Sequence, residues 1–138
     1  MLFGTLYTRE QSHANSVNRS EAIDTTFKCH EMIHVKQAEN VKDSWLLYYL
    51  LYIWQWICNL PLIFRGLKMP YRFIAFELEA YFNQDEFTYP LSQEGGCALW
   101  RKMNNLSLSR KYKLAGQYKK TGAAFSRFVK RAIDVDTL

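Results

Sequence analysis

The chain has 138 residues, 49% of them hydrophobic and 16% aromatic, with a formal net charge of +5. That length and apolar content suit one folded domain and exclude a disordered chain, while three cysteines without a Cys-x-x-Cys pair argue against a disulfide framework or a cysteine-based zinc knuckle. The charge is uneven: residues 101–138 carry 10 basic and 2 acidic side chains, whereas residues 1–100 are net acidic.

Met1 to Arg9 is rich in aromatic and β-branched residues and reads as a strand; Gln11 to Ser20, which contains His13, reads as a polar loop. No basic segment precedes the short apolar start, so no secretory signal is expected, and the chain is placed in the cytoplasm or peripherally at a membrane. Asp24, Thr25 and Thr26 are candidate N-caps for a helix from about Phe27 to Asn40. Phe27, Glu31, His34, Val35, Ala38 and Val41 share one face of it, and two of those six are polar.

Ser44 to Phe64 holds 21 residues without a charge, long enough to cross a bilayer. Tyr48, Tyr52, Gln55 and Asn59, however, recur at i, i+4, i+7 and i+11 and draw a polar seam along that helix. Pro61 interrupts its end. Arg65 to Pro70 is a connector, and a third helix is expected from Tyr71 to Asp85. Pro90 and Gly95-Gly96 break the pattern before the basic tail, whose apolar positions at Leu114, Tyr118, Phe125, Val129 and Ile133 keep roughly helical spacing. The expected architecture is mainly α (α+β), divided into residues 1–100 and a basic C-terminal extension over residues 101–138.

The chemistry lies in His30-Glu31-Met32-Ile33-His34. Imidazoles at i and i+4 of a helix stand on one side and can grip one cation, and neutral imidazole suits zinc. The intervening Glu31 stands beside that cation, placed to take a proton from a water that the ion acidifies. On the third helix Glu77 shares a face with Phe73, Ala80 and Tyr81 and offers a third ligand, while Glu79 points toward Arg72, Ala75 and Phe82. The same groups could instead form a buried hydrogen-bonded cluster. Gln37, one turn beyond His34, is a candidate to orient a ligand, and Tyr81 or Tyr89 a candidate to stabilise an oxyanion. Cys29 faces away from the imidazoles and reads as a buried thiol.

An HExxH helix followed by Glu-x-x-Ala on a later helix resembles the gluzincin branch of zinc metallopeptidases. The order CHEMIHVKQ (Cys29 to Gln37), WLLYYLLYIWQW (Trp45 to Trp56) and YRFIAFELEAY (Tyr71 to Tyr81) is similar to a group of minimal zincin-like bacterial proteins, over about residues 1–90. The resemblance implies His30, His34 and Glu77 as zinc ligands and Glu31 as general base. Ala80 leaves room beside the metal, and Glu79 is an alternative ligand or a group behind the ligands. It further implies a zincin-like core with hydrolysis of a peptide or protein substrate. The alternative is an inactive scaffold within a larger assembly.

Two further surfaces carry expectations. Lys111, Lys113, Lys119, Lys120, Arg127, Lys130 and Arg131 could meet a protein partner, the phosphates of nucleic acid, or an anionic membrane surface. Residues 44–64 could touch a membrane, but a helix spanning ~30 Å of hydrocarbon would put His34 and Glu77 on opposite sides. A spanning segment and the three-ligand site therefore exclude each other.

Overall fold

The computed structural model describes residues 23–138; the expected strand over Met1 to Arg9, the polar loop and His13 lie outside them. Every regular element among the described residues is helical. Helix α1 (Thr26–Asn40) starts where Thr25, in extended conformation, accepts a hydrogen bond from the Lys28 amide, the usual way of satisfying a free N–H at a helix start. It buries Cys29, His30, Met32, Ile33, His34, Val35, Gln37 and Ala38. Phe27, expected on the buried face, is exposed instead: it lies in the first turn, on the rim of a cleft.

Ser44 caps α2 (Trp45–Cys58), and Leu60–Arg65 follows as a 3-10 turn opened by Pro61. The uncharged stretch is thus two short pieces, and among the described residues no helix is long and apolar enough to cross a membrane. The expected helix from Tyr71 to Asp85 is also two pieces, α3 (Met69–Arg72) and α4 (Ala75–Asn83), parted by Phe73 and an extended Ile74. Helix α4 has no cap of its own. Instead Gln55, from the seam of α2, accepts the Ala75 amide at 2.8 Å.

Short helices α5 (Tyr89–Ser92) and α6 (Leu99–Met103) lead to α7 (Leu108–Thr121) and α8 (Phe125–Ala132). Between α5 and α6, Gly96 at φ +86° presses on the end of α1. A Cβ there would stand 2.1 Å from the Lys36 carbonyl oxygen, which accepts the Cys97 amide. The site is closed to any other residue.

One core unites the elements. Phe73, Ile74, Phe76 and Leu78 pack with Met103, Leu106, Leu114, Phe125, Val129 and Ile133. The expected boundary at residue 100 therefore falls inside a single hydrophobic cluster. Apart from the buried Lys111, the basic side chains of residues 101–138 lie on the outer side: α7 packs on the 3-10 turn and α8 on α4, and Tyr118 and Phe128 pack against Phe125. Phe76 sits at the centre, its ring 4.7 Å from Tyr48 and 4.6 Å from Trp100. Truncating such a ring costs about 3–5 kcal/mol, so the helix carrying Glu77 is firmly held.

Candidate metal centre

Helices α1 and α4 cross so that three ligating side chains meet. His30 and His34 are 8% and 6% exposed and Glu77 2%. The His30 and His34 Nε2 atoms are 3.2 Å apart, and each is 3.3 Å from a different oxygen of Glu77. All three ligand atoms lie within 4.8 Å of one another. Glu77 belongs to the first turn of α4, where the helix dipole favours a negative charge.

The outward nitrogens decide which way the lone pairs point. Gln37 donates through Nε2 to the Phe76 carbonyl and to Glu79 Oε2, at 3.0 and 2.8 Å. Its Oε1 is thereby turned to His34 Nδ1, 2.8 Å away. His34 Nδ1 must then carry the hydrogen, and Nε2 keeps its lone pair for the centre. Gln84 Oε1 does the same for His30 Nδ1 at 2.9 Å. Two bare imidazole nitrogens and a carboxylate therefore converge, and the buried Oε2 of Glu77 has no hydrogen-bond donor. Acceptors facing acceptors in a buried cluster could hold a cation among them. The donor set, two imidazoles and one carboxylate, is the kind that binds zinc and similar divalent ions.

Without a metal, a proton serves. Burial alone disfavours charge on His34, but Glu77 outweighs it through charge and hydrogen bonding, pushing the His34 pKa up to about 9. Glu77 shows the mirror image: burial opposes its ionisation, yet the two histidines hold it well below the usual carboxylate range.

The seam of α2 closes the site from above. Tyr52 donates to Glu77 Oε1 at 2.7 Å, and the Tyr48 hydroxyl is 3.1 Å from His34 Nδ1. Burial and the nearby Glu77 push both phenols' pKa values up, keeping them protonated. Further along the seam, Asn59 bonds the Pro70 carbonyl and Lys111. Neither Tyr52 nor Gln84 figured among the expected site residues. The seam spacing signalled the first, and the i+7 spacing of Gln84 from Glu77 could have signalled the second.

Glu31 is half-buried and lines two clefts beside the centre. One, of about 200 Å³, is walled by His34, Tyr48, Tyr49, Tyr52, Tyr71 and Glu77. The other, of about 440 Å³, includes His30, Tyr71, Tyr81 and Gln84. Tyr81 meets the His30 ring edge-on at 4.8 Å.

Glu79 turns away from the centre. It accepts from Gln37 Nε2, the Tyr89 hydroxyl and the amides of Leu99 and Trp100, at 2.8 to 3.2 Å. It thus stands behind the histidines through Gln37, and Tyr89 is committed to it. Cys29 is fully buried, its thiol directed to the Asn83 and Glu86 carbonyls.

The basic set is not brought together as one group. Lys111 is buried and donates to Asn59, so it cannot meet a phosphate, contrary to the expectation from the charge run. Its α7 position faces the 3-10 turn rather than water. Lys130 pairs with Asp85 at 3.5 Å. Lys113, Lys119, Lys120, Arg127 and Arg131 are exposed. Comparison with protein-family models, curated proteins and solved structures finds no match to this chain.

Proposed function

We propose that the chain is a zinc-dependent hydrolase of zincin-like construction, with peptides or proteins as its substrates. His30, His34 and Glu77 would hold the ion, with Gln84, Gln37 and Tyr52 fixing their orientation. The observation that carries the reading is the convergence of three lone-pair donors around a buried carboxylate oxygen without a partner. Bound there, zinc would act as a Lewis acid that polarises a scissile carbonyl and acidifies a water.

The remaining work falls to the chain's own side chains. Glu31, facing both clefts, accepts the proton that the attacking water gives up as its oxygen bonds to the acyl carbon. It passes that proton to the leaving nitrogen as the C–N bond breaks. Tyr81, next to His30 and raised in pKa by its burial and by Glu77, keeps its hydroxyl hydrogen and is the candidate donor to the developing oxyanion.

The test is metal content together with hydrolysis. Purified protein should hold one zinc per chain and cleave members of a mixed peptide library, read by mass spectrometry. Glu31→Gln should keep the zinc and lose cleavage, and His30→Ala/His34→Ala should lose the zinc. Zinc retained by the double variant would overturn the site, whereas bound zinc with no peptide cleaved would favour the inactive scaffold.

A further inference from the structure

Helix α2 is turned against its own hydropathy. The seam of Tyr48, Tyr52, Gln55 and Asn59 faces the protein. Leu46, Leu50, Ile53 and Ile57 recur at the same spacing two residues earlier, which places them about 200° round the helix. All four are exposed, Leu46 at 72%. Trp54 joins them at 63%, and the apolar strip runs on through Phe64 at 81% and Leu67 at 85%. Such a concentration of exposed large apolar side chains on a folded protein marks an interaction site.

The rim identifies the occupant. From Ser44 to Phe76 the sequence holds no Asp or Glu, and none occurs in α7. Exposed Lys68 follows Leu67 directly, and Lys119 of α7 lies against Gly66, its Cε 3.4 Å from where a Cβ would stand. A strip of Leu, Ile, Trp and Phe with exposed Asp43 at its start and Lys68 and Lys119 at its Phe64–Leu67 end is complementary, at that end, to acyl chains beneath anionic headgroups. At 14 residues, about 21 Å, α2 is too short to cross ~30 Å of hydrocarbon; it lies in the plane of the interface.

We propose that the outer face of α2 and the following 3-10 turn is a docking surface for an anionic phospholipid bilayer. This inference does not rest on the metal reading. Phe64 and Leu67 enter the acyl boundary, Trp54 anchors at headgroup level, and Lys68 and Lys119 meet the lipid phosphates.

The full-length protein should co-sediment with vesicles of phosphatidylcholine containing phosphatidylserine, and at least about tenfold more weakly with phosphatidylcholine alone. Phe64→Glu/Leu67→Glu should weaken binding at least about tenfold with an unchanged circular dichroism spectrum and unchanged metal content. Lys68→Gln/Lys119→Gln should remove most of the preference for phosphatidylserine. Three outcomes would overturn the proposal. One is absence of binding to either vesicle. Another is phosphatidylserine-dependent binding indifferent to Phe64→Glu/Leu67→Glu, which would assign it to the other cations of α7 and α8. The third is a stable dimer by light scattering that this double variant dissolves, which would assign the strip to a second copy of the chain.

Discussion

The side-chain oxygen of Gln37 stands 2.8 Å from Nδ1 of His34, one helical turn earlier on α1. Since Glu79 and the Phe76 carbonyl claim the amide nitrogen, Gln37 can present only its acceptor to the ring. Groups that fix a ligand's tautomer in this way typically contribute 10- to 100-fold to metal affinity. Gln37→Leu should therefore lower zinc affinity by roughly one to two orders of magnitude while leaving the stoichiometry at one per chain. Competition with a chromophoric chelator measures it, and unchanged affinity would mean that His34 needs no such partner.

The pH dependence of metal binding follows from the proton that occupies the centre of the apo protein. His34 has its pKa raised from 6.5 to about 9. A raised folded-state pKa adds stability to the apo protein that is complete below the unfolded value and is lost as pH rises through about 9. Zinc must displace that proton. Apparent zinc affinity should therefore climb by about tenfold per pH unit between pH 7 and the His34 pKa, then flatten. Calorimetry in buffers of different ionisation enthalpy should show about one proton released per zinc at pH 7. Release of none would place the proton elsewhere.

Much of this centre is legible in the sequence because it depends on helical spacing alone. His30 and His34 at i, i+4 and Glu77 on the Ala80 face of its helix land where the periodicity puts them. The polar seam of α2 is likewise readable, since four polar side chains at a strict helical repeat require partners. Periodicity cannot say which face of a helix meets the core. In α2 hydropathy favours Leu46, Leu50, Ile53 and Ile57, yet the partners that Tyr48, Tyr52 and Gln55 find on α1 and α4 turn the seam inward. The division between α3 and α4 escapes for a related reason, because the acceptor for the Ala75 amide comes from Gln55, 20 residues away. Lys111 is misread by charge counting because its partner Asn59 is 52 residues away.

Glu79 joins α4 to α1, α5 and α6 by accepting from four donors. Burial nonetheless raises its pKa, because the loss of water outweighs those hydrogen bonds. An amide in its place would turn an NH2 toward at least one N–H or O–H, leaving buried donors unpaired. Glu79→Gln should destabilise the fold by about 1–3 kcal/mol and shift the urea midpoint accordingly. Because Gln37 loses its anchor too, zinc affinity should fall in the same variant. A midpoint equal to the parent's would show that the amide is accommodated.

Lys111 presents the opposite electrostatic case. It is buried between α7 and the 3-10 turn, with the Asn59 side-chain oxygen accepting from it. Burial lowers its pKa from 10.5 to about 8. Below about pH 8 the folded chain carries a charge there at a cost that the unfolded chain does not bear. Between about pH 8 and the unfolded value the unfolded state holds more protons, so this group makes stability rise with pH. Lys111→Met keeps the length and apolar stem of the side chain and removes the charge. It should match or exceed the parent at pH 7, where the folded parent carries the charged form. The advantage should shrink steadily as pH climbs from about 8 toward 9.5. Urea midpoints of the two proteins across that range, compared at each pH, cancel the other titrating groups. A Lys111→Met variant less stable than the parent at pH 7 would show instead that the Asn59 hydrogen bond outweighs the cost of burying the ammonium.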